Sequence, residues 1–447
     1  MARTIPQCKK SGSPRMACFC ALAMLVFFAA SPCSAQLTFR DAIRVALANS
    51  PRIKAAQNDV AKAKAGVGVA RDIYIPSVVA DGGVGDAYGI MLSVPTIFTV
   101  QAQSLVWSLQ QRSYTRAARA ELDAASLSLQ EIRQQVEEDT AITYLSIDHA
   151  QDVATALNDQ VGYAQRLLAI MQDRVAAHLE SELDLKTTQR DVLQIRLQQM
   201  QARDDLEDLR GHMAELTGLA PDQIRIDPTS IPAIPEDTAG FGGAQKFSDT
   251  PGIRAAAESA RAKAQQAQGD ARYAWRPSVS FAANYGRVSP IENVQKFYNL
   301  NGIYNVASFG FTLQVPLLDR VRSRAAQQSK LDAVRAQMDL ETLRADQLAD
   351  RHQLARSIPE LATKAEMADL DDQIAQEQLQ GAYLQAKHAT GGPVITPKEE
   401  MKAHIQERQK YVNMLNARLE AHKAEISFLR LTGQLDGWLN GTASVKP

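Results

Sequence analysis

Seven histidines, His149, His178, His212, His352, His388, His404 and His422, are the residues best suited to metal or acid–base chemistry, and they are scattered along the chain. None shows the paired helical spacing of a zinc site. Glu400 and His404 stand four apart and would share one helix face, a spacing that suits a salt bridge better than a ligand set. There is no Gly-x-Ser-x-Gly elbow, no phosphate-cradling loop and no dinucleotide fingerprint. Acids are plentiful, but none is paired in an apolar setting as proton-transfer work requires. The reading is therefore of a protein that is not an enzyme, with no cofactor and no metal ligands.

What such residues sit on is more telling. From Gln110 to Gly218 there is no proline, and the only glycines are Gly162, Gly211 and Gly218. Ala, Leu, Gln, Glu and Arg dominate, all good helix formers. Apolar residues recur at heptad spacing: Leu122, Leu129 and Val136, then Val161, Leu168 and Val175, with Ala164 and Met171 beside them. A helix from Gln110 to about Ala177 would be about 100 Å long. A rod of that length spans a distance rather than enclosing a site.

The 447 residues carry 49 basic and 50 acidic side chains, and this balance, without a basic patch interleaved with aromatics, argues against nucleic acid as a partner. Residues 1–35 read as a signal peptide: a basic start (Arg3, Lys9, Lys10, Arg15), an apolar run from Met16 to Ala30, and small residues before a cleavage point after Ala35. Cys8, Cys18, Cys20 and Cys33 all fall in this leader, so the mature chain would have no disulfide or thiolate site. Beyond the leader no run of about 18 apolar residues exists, so entry into a membrane would have to be as β-strands.

The chain is written twice. Asn49-Ser50-Pro51-Arg52-Ile53-Lys54-Ala55-Ala56 returns as Asp249-Thr250-Pro251-Gly252-Ile253-Arg254-Ala255-Ala256. Pro76-Ser77-Val78 returns as Pro277-Ser278-Val279, and Leu216-Thr217-Gly218 as Leu431-Thr432-Gly433. The expected layout is a first repeat over 36–218, a proline-rich linker over 219–246 with a possible short strand at Gln223–Ile226, a second repeat over 247–435 and a tail over 436–447. Each repeat should hold a helix, two strands, a long helix and a returning helix. Thr38 is a plausible N-cap, Asn49-Ser50-Pro51 should break the first helix, and Pro359 should kink the second long one.

The strands alternate. Val279, Phe281, Ala283 and Tyr285 are interleaved with small or polar residues, and so are Phe309, Phe311, Leu313 and Val315. The stripe Phe98, Val100, Ala102, Ser104, Val106 is more modest. One apolar and one polar face is the pattern of a barrel wall between lipid and water, although a soluble sheet with one buried face has the same pattern. Two hairpins cannot close a membrane barrel, so strands would be pooled between copies. Trp107 and Trp275 fall where strand meets helix and are candidate interfacial aromatics.

With Asn49-Ser50-Pro51 before an Ala-rich helix, Tyr74-Ile75-Pro76-Ser77 entering the first strand, Val315-Pro316-Leu317-Leu318-Asp319 leaving the last, and the duplicated layout, the chain resembles the TolC-like outer-membrane efflux and secretion duct family from about Leu37 to about Leu435. The resemblance implies a mainly α fold. Long helical hairpins would form an α-barrel tunnel, and four strands per chain would join a 12-stranded barrel shared by a homotrimer. It also implies a periplasmic adaptor and an inner-membrane transporter as partners, with outer-membrane lipid around the barrel. The hairpin tips would be about Ala176 to Leu185 and about His388 to Glu400. Family tips usually carry a glycine at the reversal. Here His178 stands in that place, followed by Leu179, while the second tip has Gly391-Gly392-Pro393 and then Pro397. The family often lines its closed entrance with carboxylates just past the turn. Asp184 matches in the first tip, and Glu399 or Glu400 less closely in the second. The competing reading is a soluble periplasmic coiled-coil adaptor.

Overall fold

The computed structural model describes residues 36–83, 96–234, 249–288, 305–388 and 396–439. The leader, the later part of the linker, Gly391-Gly392-Pro393 and the last residues of the tail lie outside these. In chain order the elements are α1 (Phe39–Asn49), α2 (Pro51–Asp72), β1 (Ser77–Gly82), β2 (Thr96–Ser108), α3 (Leu109–Ala176) and α4 (Glu182–Thr217). Then come α5 (Pro251–Trp275), β3 (Ser278–Val288), β4 (Asn305–Gln314), α6 (Arg320–His388), α7 (Pro397–Thr432) and α8 (Leu435–Leu439). Helix, strand pair, long helix and returning helix thus follow in the same order twice.

Local chemistry explains the breaks. The Thr38 hydroxyl caps α1 by accepting from the Asp41 amide, and Pro51 opens α2, where its missing N–H costs nothing. Gly218 and Gly433 take left-handed φ values of 74° and 75° to end α4 and α7. The long helices α3 and α6 run for 68 and 69 residues, and α6 stays helical on both sides of Pro359. Among the described residues no helix is apolar enough to cross a membrane.

Each long helix is accompanied by shorter ones laid end to end. α3 packs against α2 and α5 along its first half and against α4 and α7 along its second, and α6 likewise packs against α5 and then α7. The buried heptad residues Val136, Val161, Ala164 and Met171 line this seam. Where α4 ends and α2 begins, the Asn49 side-chain amide donates to the Thr217 carbonyl at 2.9 Å.

At mid-length a knot of aromatics gathers distant segments. The fully buried Tyr144 of α3 meets Phe39 edge to face at 5.3 Å. Its hydroxyl donates to the Leu37 carbonyl at 2.7 Å and accepts from the Asp227 amide at 2.8 Å. Trp438 of α8 packs on Phe39 at 5.5 Å and donates to the linker carbonyl of Ala233. The strand expected at Gln223–Ile226 is instead a 3-10 turn at Pro221–Gln223 and one parallel bridge between Leu37 and Ile226.

The four strands form one antiparallel sheet in the order β1-β2-β3-β4. Register places Val78 opposite Ala102, Val100 opposite Tyr285, Ala283 opposite Phe309 and Phe281 opposite Phe311, all on one face. The other face carries Gln101, Gln103, Asn284, Ser308 and Thr312. Phe309, Phe311 and Leu313 are 85%, 70% and 62% exposed, so among the described residues nothing covers the apolar face along β4.

Candidate functional site

The first hairpin reverses through a Schellman turn. The Leu179 amide donates to the Arg174 carbonyl and the His178 amide to the Val175 carbonyl. His178 sits at φ 56°, the one non-glycine residue with positive φ among those described. The side chain expected to replace the family's glycine therefore occupies the left-handed position where glycine is favoured. Leu179 is exposed beside it. Glu180 then ties the tip together, accepting from Lys398 Nζ at 2.7 Å and Arg174 Nε at 3.3 Å. The Lys398 bond holds its carboxyl below the ordinary value.

The candidate gate acids have a local task first. Ser181 caps α4: its hydroxyl accepts from the Asp184 amide at 3.1 Å and donates to the Asp184 carboxylate at 2.6 Å. Thr396 caps α7 in the same way with Glu399, whose carboxylate accepts from the Thr396 amide at 2.9 Å in a full capping box. Asp184 and Glu399 thus stand at equivalent positions of the two returning helices. The Ser181 hydroxyl, its amide and then Lys398 and Lys402 hold the Asp184 carboxyl below its usual value, and the Thr396 amide and hydroxyl do the same for Glu399. Asp184 and Asp191 of α4 face Lys398 and Lys402 of α7 across a groove of about 440 Å³ floored by Gln160, Ala164 and Met171 of α3. Glu400 points elsewhere and hydrogen-bonds Tyr383 of α6.

Spacing did not reveal the link between the two hairpins. His404 of α7 stacks on Tyr163 of α3 at 4.3 Å and 5°, and its Nε2 lies 2.9 Å from the Tyr383 hydroxyl. The Glu400–His404 pair read as a salt bridge is therefore part of an aromatic bridge joining α3, α6 and α7. Gln160 of α3 adds a bond to the Ile405 carbonyl. The only sequence signal was the pairing of aromatics with a lone histidine on otherwise polar helices.

At the opposite end, Trp107 pairs with Val279 in the last turns of the sheet, and Trp275 closes α5 three residues before β3. Both tryptophans flank the same end of the sheet, 39% and 71% exposed.

Residues 42–219 match the model of the outer membrane efflux protein family. No curated protein matches the sequence. Among solved structures the chain is similar to the CmeC outer membrane channel of Campylobacter jejuni, at 14% identity and TM-score 0.69 over 89% of this chain and 86% of that one. It is also similar to the outer membrane protein VceC of Vibrio cholerae, at 16% identity and TM-score 0.67 over 88% of this chain and 96% of that one. The open MtrE outer membrane channel of Neisseria gonorrhoeae gives 15%, 0.67, 89% and 90% in the same measures. The adaptor reading finds no support in these matches. The family match thus covers residues 42–219, in the first half of the chain, and the fold of these outer membrane channels extends over nearly nine tenths of it.

Proposed function

We propose that this protein is the passive exit duct of a tripartite efflux or type I secretion system, working as a homotrimer with a periplasmic adaptor and an inner-membrane transporter. The observation that carries the reading is a pair of open edges on one molecule. β1 and β4 are the outer strands of a sheet whose apolar face is bare. α4 and α6 are the outer helices, and both carry exposed heptad-spaced stripes: Leu193, Leu197 and Met200 on α4, and Leu331, Val334 and Met338, then Met367, Leu370 and Ile374, on α6. The two edges differ, so copies join head to tail, and such contacts either close into a ring or run on as a filament. A ring supplies strands that one chain lacks, since about eight are needed to enclose a membrane barrel. Three copies give twelve. The helices continue the barrel as a tunnel, and the first hairpin tip, which carries His178 and Leu179, faces the adaptor. The sequence carries no nucleotide-binding motif, and in this reading energy coupling and the choice of cargo fall to the inner-membrane partner.

The test is biochemical. The processed protein should fractionate with the outer membrane, run as a three-chain species in unheated detergent and conduct ions in a planar bilayer. A soluble monomer that leaves bilayers non-conducting sinks the proposal.

A further inference from the structure

At the joint between sheet and helices lies a pocket of about 390 Å³ lined by Arg71, Tyr74, Val106, Trp107, Arg112, Arg116 and Arg119, together with Ser108 and Thr115. Its construction is deliberate. The Gln111 side-chain amide and the Thr115 hydroxyl both bond the Ala70 carbonyl, at 2.7 and 3.2 Å, and the Leu105 amide bonds the Ile73 carbonyl. These bonds press the end of α2 onto the start of α3 and bring Arg71 to the α3 arginines. Arg112, Arg116 and Arg119 follow at helical spacing, so they share one face.

Four exposed guanidinium groups therefore surround one concavity. Asp72 stands next to Arg71 in sequence but does not line the pocket, and no other acid does. None of the four arginines makes an ion pair or a side-chain hydrogen bond among the described residues, whereas Arg52 of α2, Arg174 of α3 and Arg430 of α7 are paired. Like charges crowded without counter-charge repel one another, and an anion that enters relieves the cost.

The position says which anion. Trp107 pairs with Val279, and Val279 shares its face with Phe281 and Phe311, so the pocket opens directly below the bare apolar face of the sheet. Half-exposed Trp107 and Tyr74 sit at its rim. Amphipathic rings of this kind settle at the level of lipid headgroups, where basic clusters hold anionic phosphates.

We propose that this pocket binds the phosphate headgroup of an anionic phospholipid in the membrane leaflet nearest the helical tunnel, its acyl chains lying along the apolar sheet face above. The inference rests on the outer-membrane reading. Arginine suits the task because its planar fork engages phosphate oxygens in pairs.

The experiment titrates the purified channel in detergent with phosphatidylglycerol or phosphatidylcholine and reads bound lipid by native mass spectrometry. Wild type should prefer phosphatidylglycerol. Arg112→Gln/Arg116→Gln should weaken that lipid by on the order of tenfold to thirtyfold, and Arg71→Gln alone by about fivefold, with phosphatidylcholine unaffected. The single variant on α2 keeps the test open if the double one folds poorly. Equal binding of the two lipids overturns the proposal. So does displacement by an equal concentration of inorganic phosphate, which would mark a free-anion site. Loss of assembly with unchanged lipid binding would assign the arginines to a contact between copies and also overturn it. Vesicle flotation on neutral lipid is read separately: failure to float condemns the duct reading itself, while flotation without lipid preference condemns only this site.

Discussion

Arg430 Nη1 of α7 donates to Glu131 Oε1 of α3 across 3.0 Å, joining residues 299 apart in the chain. The second Glu131 oxygen accepts from the Gly252 amide at 3.0 Å, and Arg430 Nε also contacts Glu138. One carboxylate thus holds the last turn of α7 and the first turn of α5 against the same point of α3. Both side chains are less than a fifth exposed. Removing one partner of such a pair strands the other charge, so Glu131→Ala should cost about 2–3 kcal/mol. Glu131→Gln, which keeps an acceptor for Gly252, should cost less. Thermal unfolding in detergent checks both, and two equal losses would mean the amide contact carries nothing.

A second junction depends on what is missing. A Cβ on Gly269 of α5 would lie 2.5 Å from the Tyr114 ring of α3. That ring is held by its hydroxyl, which donates to Asp270 at 2.7 Å, and Asp270 in turn accepts from Ser329 of α6. Gly269→Ala should therefore destabilise by about 1–3 kcal/mol. Tyr114→Leu should cost stability alone yet absorb most of the Gly269→Ala penalty. A double-variant cycle with strictly additive losses would refute the steric account.

How much of this was legible depended on the range of the interactions. The long helix expected from Gln110 to about Ala177 runs Leu109–Ala176, because its limits are local: no proline inside, Ser108 as cap and a left-handed residue after it. Thr38, Pro51 and the alternating β3 and β4 strands follow from equally local chemistry. The Glu131–Arg430 pair, the Tyr144 knot and the His404 stack carry no periodic signature, since their partners lie on elements whose register only packing decides. Helix α8 was too short to register, although it buries Trp438. Ser181-x-x-Asp184 and Thr396-x-x-Glu399 were readable as capping sequences, but the same acids also fit a charged entrance.

Stability should carry a pH signature from Glu137. Burial, then a hydrogen bond with Asp436 of α8 and that residue's charge, pushes the Glu137 carboxyl up to about 8, while Arg133 pulls the other way. The ordinary value is 4.5, so folding takes up a proton between the two. The folded state is then favoured most below about 4.5, loses this contribution as pH rises toward about 8, and changes no further above it. Glu137→Gln keeps a neutral side chain and should flatten this part of the profile, gaining on wild type at pH 8 and not at pH 4. Asp148, Glu407 and Glu425 are also raised by burial, so the readout is the difference between variant and wild type. Parallel profiles for the two proteins would rule out the shared proton.

The left-handed turn at His178 gives a prediction with the opposite sign. A non-glycine residue there costs about 1–2 kcal/mol in the fold, partly offset because glycine loses more chain entropy on folding. His178→Gly should stabilise by roughly 0.5 kcal/mol. His178→Val, β-branched at positive φ, should destabilise and loosen the tip, seen as faster amide exchange at Leu179 and Glu180.

Asp184 backs the Ser181 cap of α4 and is also our candidate for the gate, and the two roles can be separated. In backing the cap it needs only an acceptor near the Ser181 amide, so Asp184→Asn should leave α4 and the assembled channel largely intact. As a gate residue it needs its charge. Three copies around a closed entrance would form a ring of negative charge that attracts cations, although Lys398 and Lys402 across the groove offset part of that field. In planar bilayers Asp184→Asn should reduce block by divalent cations from the tunnel side. Lys398→Gln, which also frees Glu180, should strengthen it. The carboxyl is held below its usual value, so wild-type block should persist as pH falls through the ordinary carboxylate range, disappearing only at lower pH. Block unchanged in Asp184→Asn while the thermal profile shifts would leave this residue a support of the helix cap and nothing more.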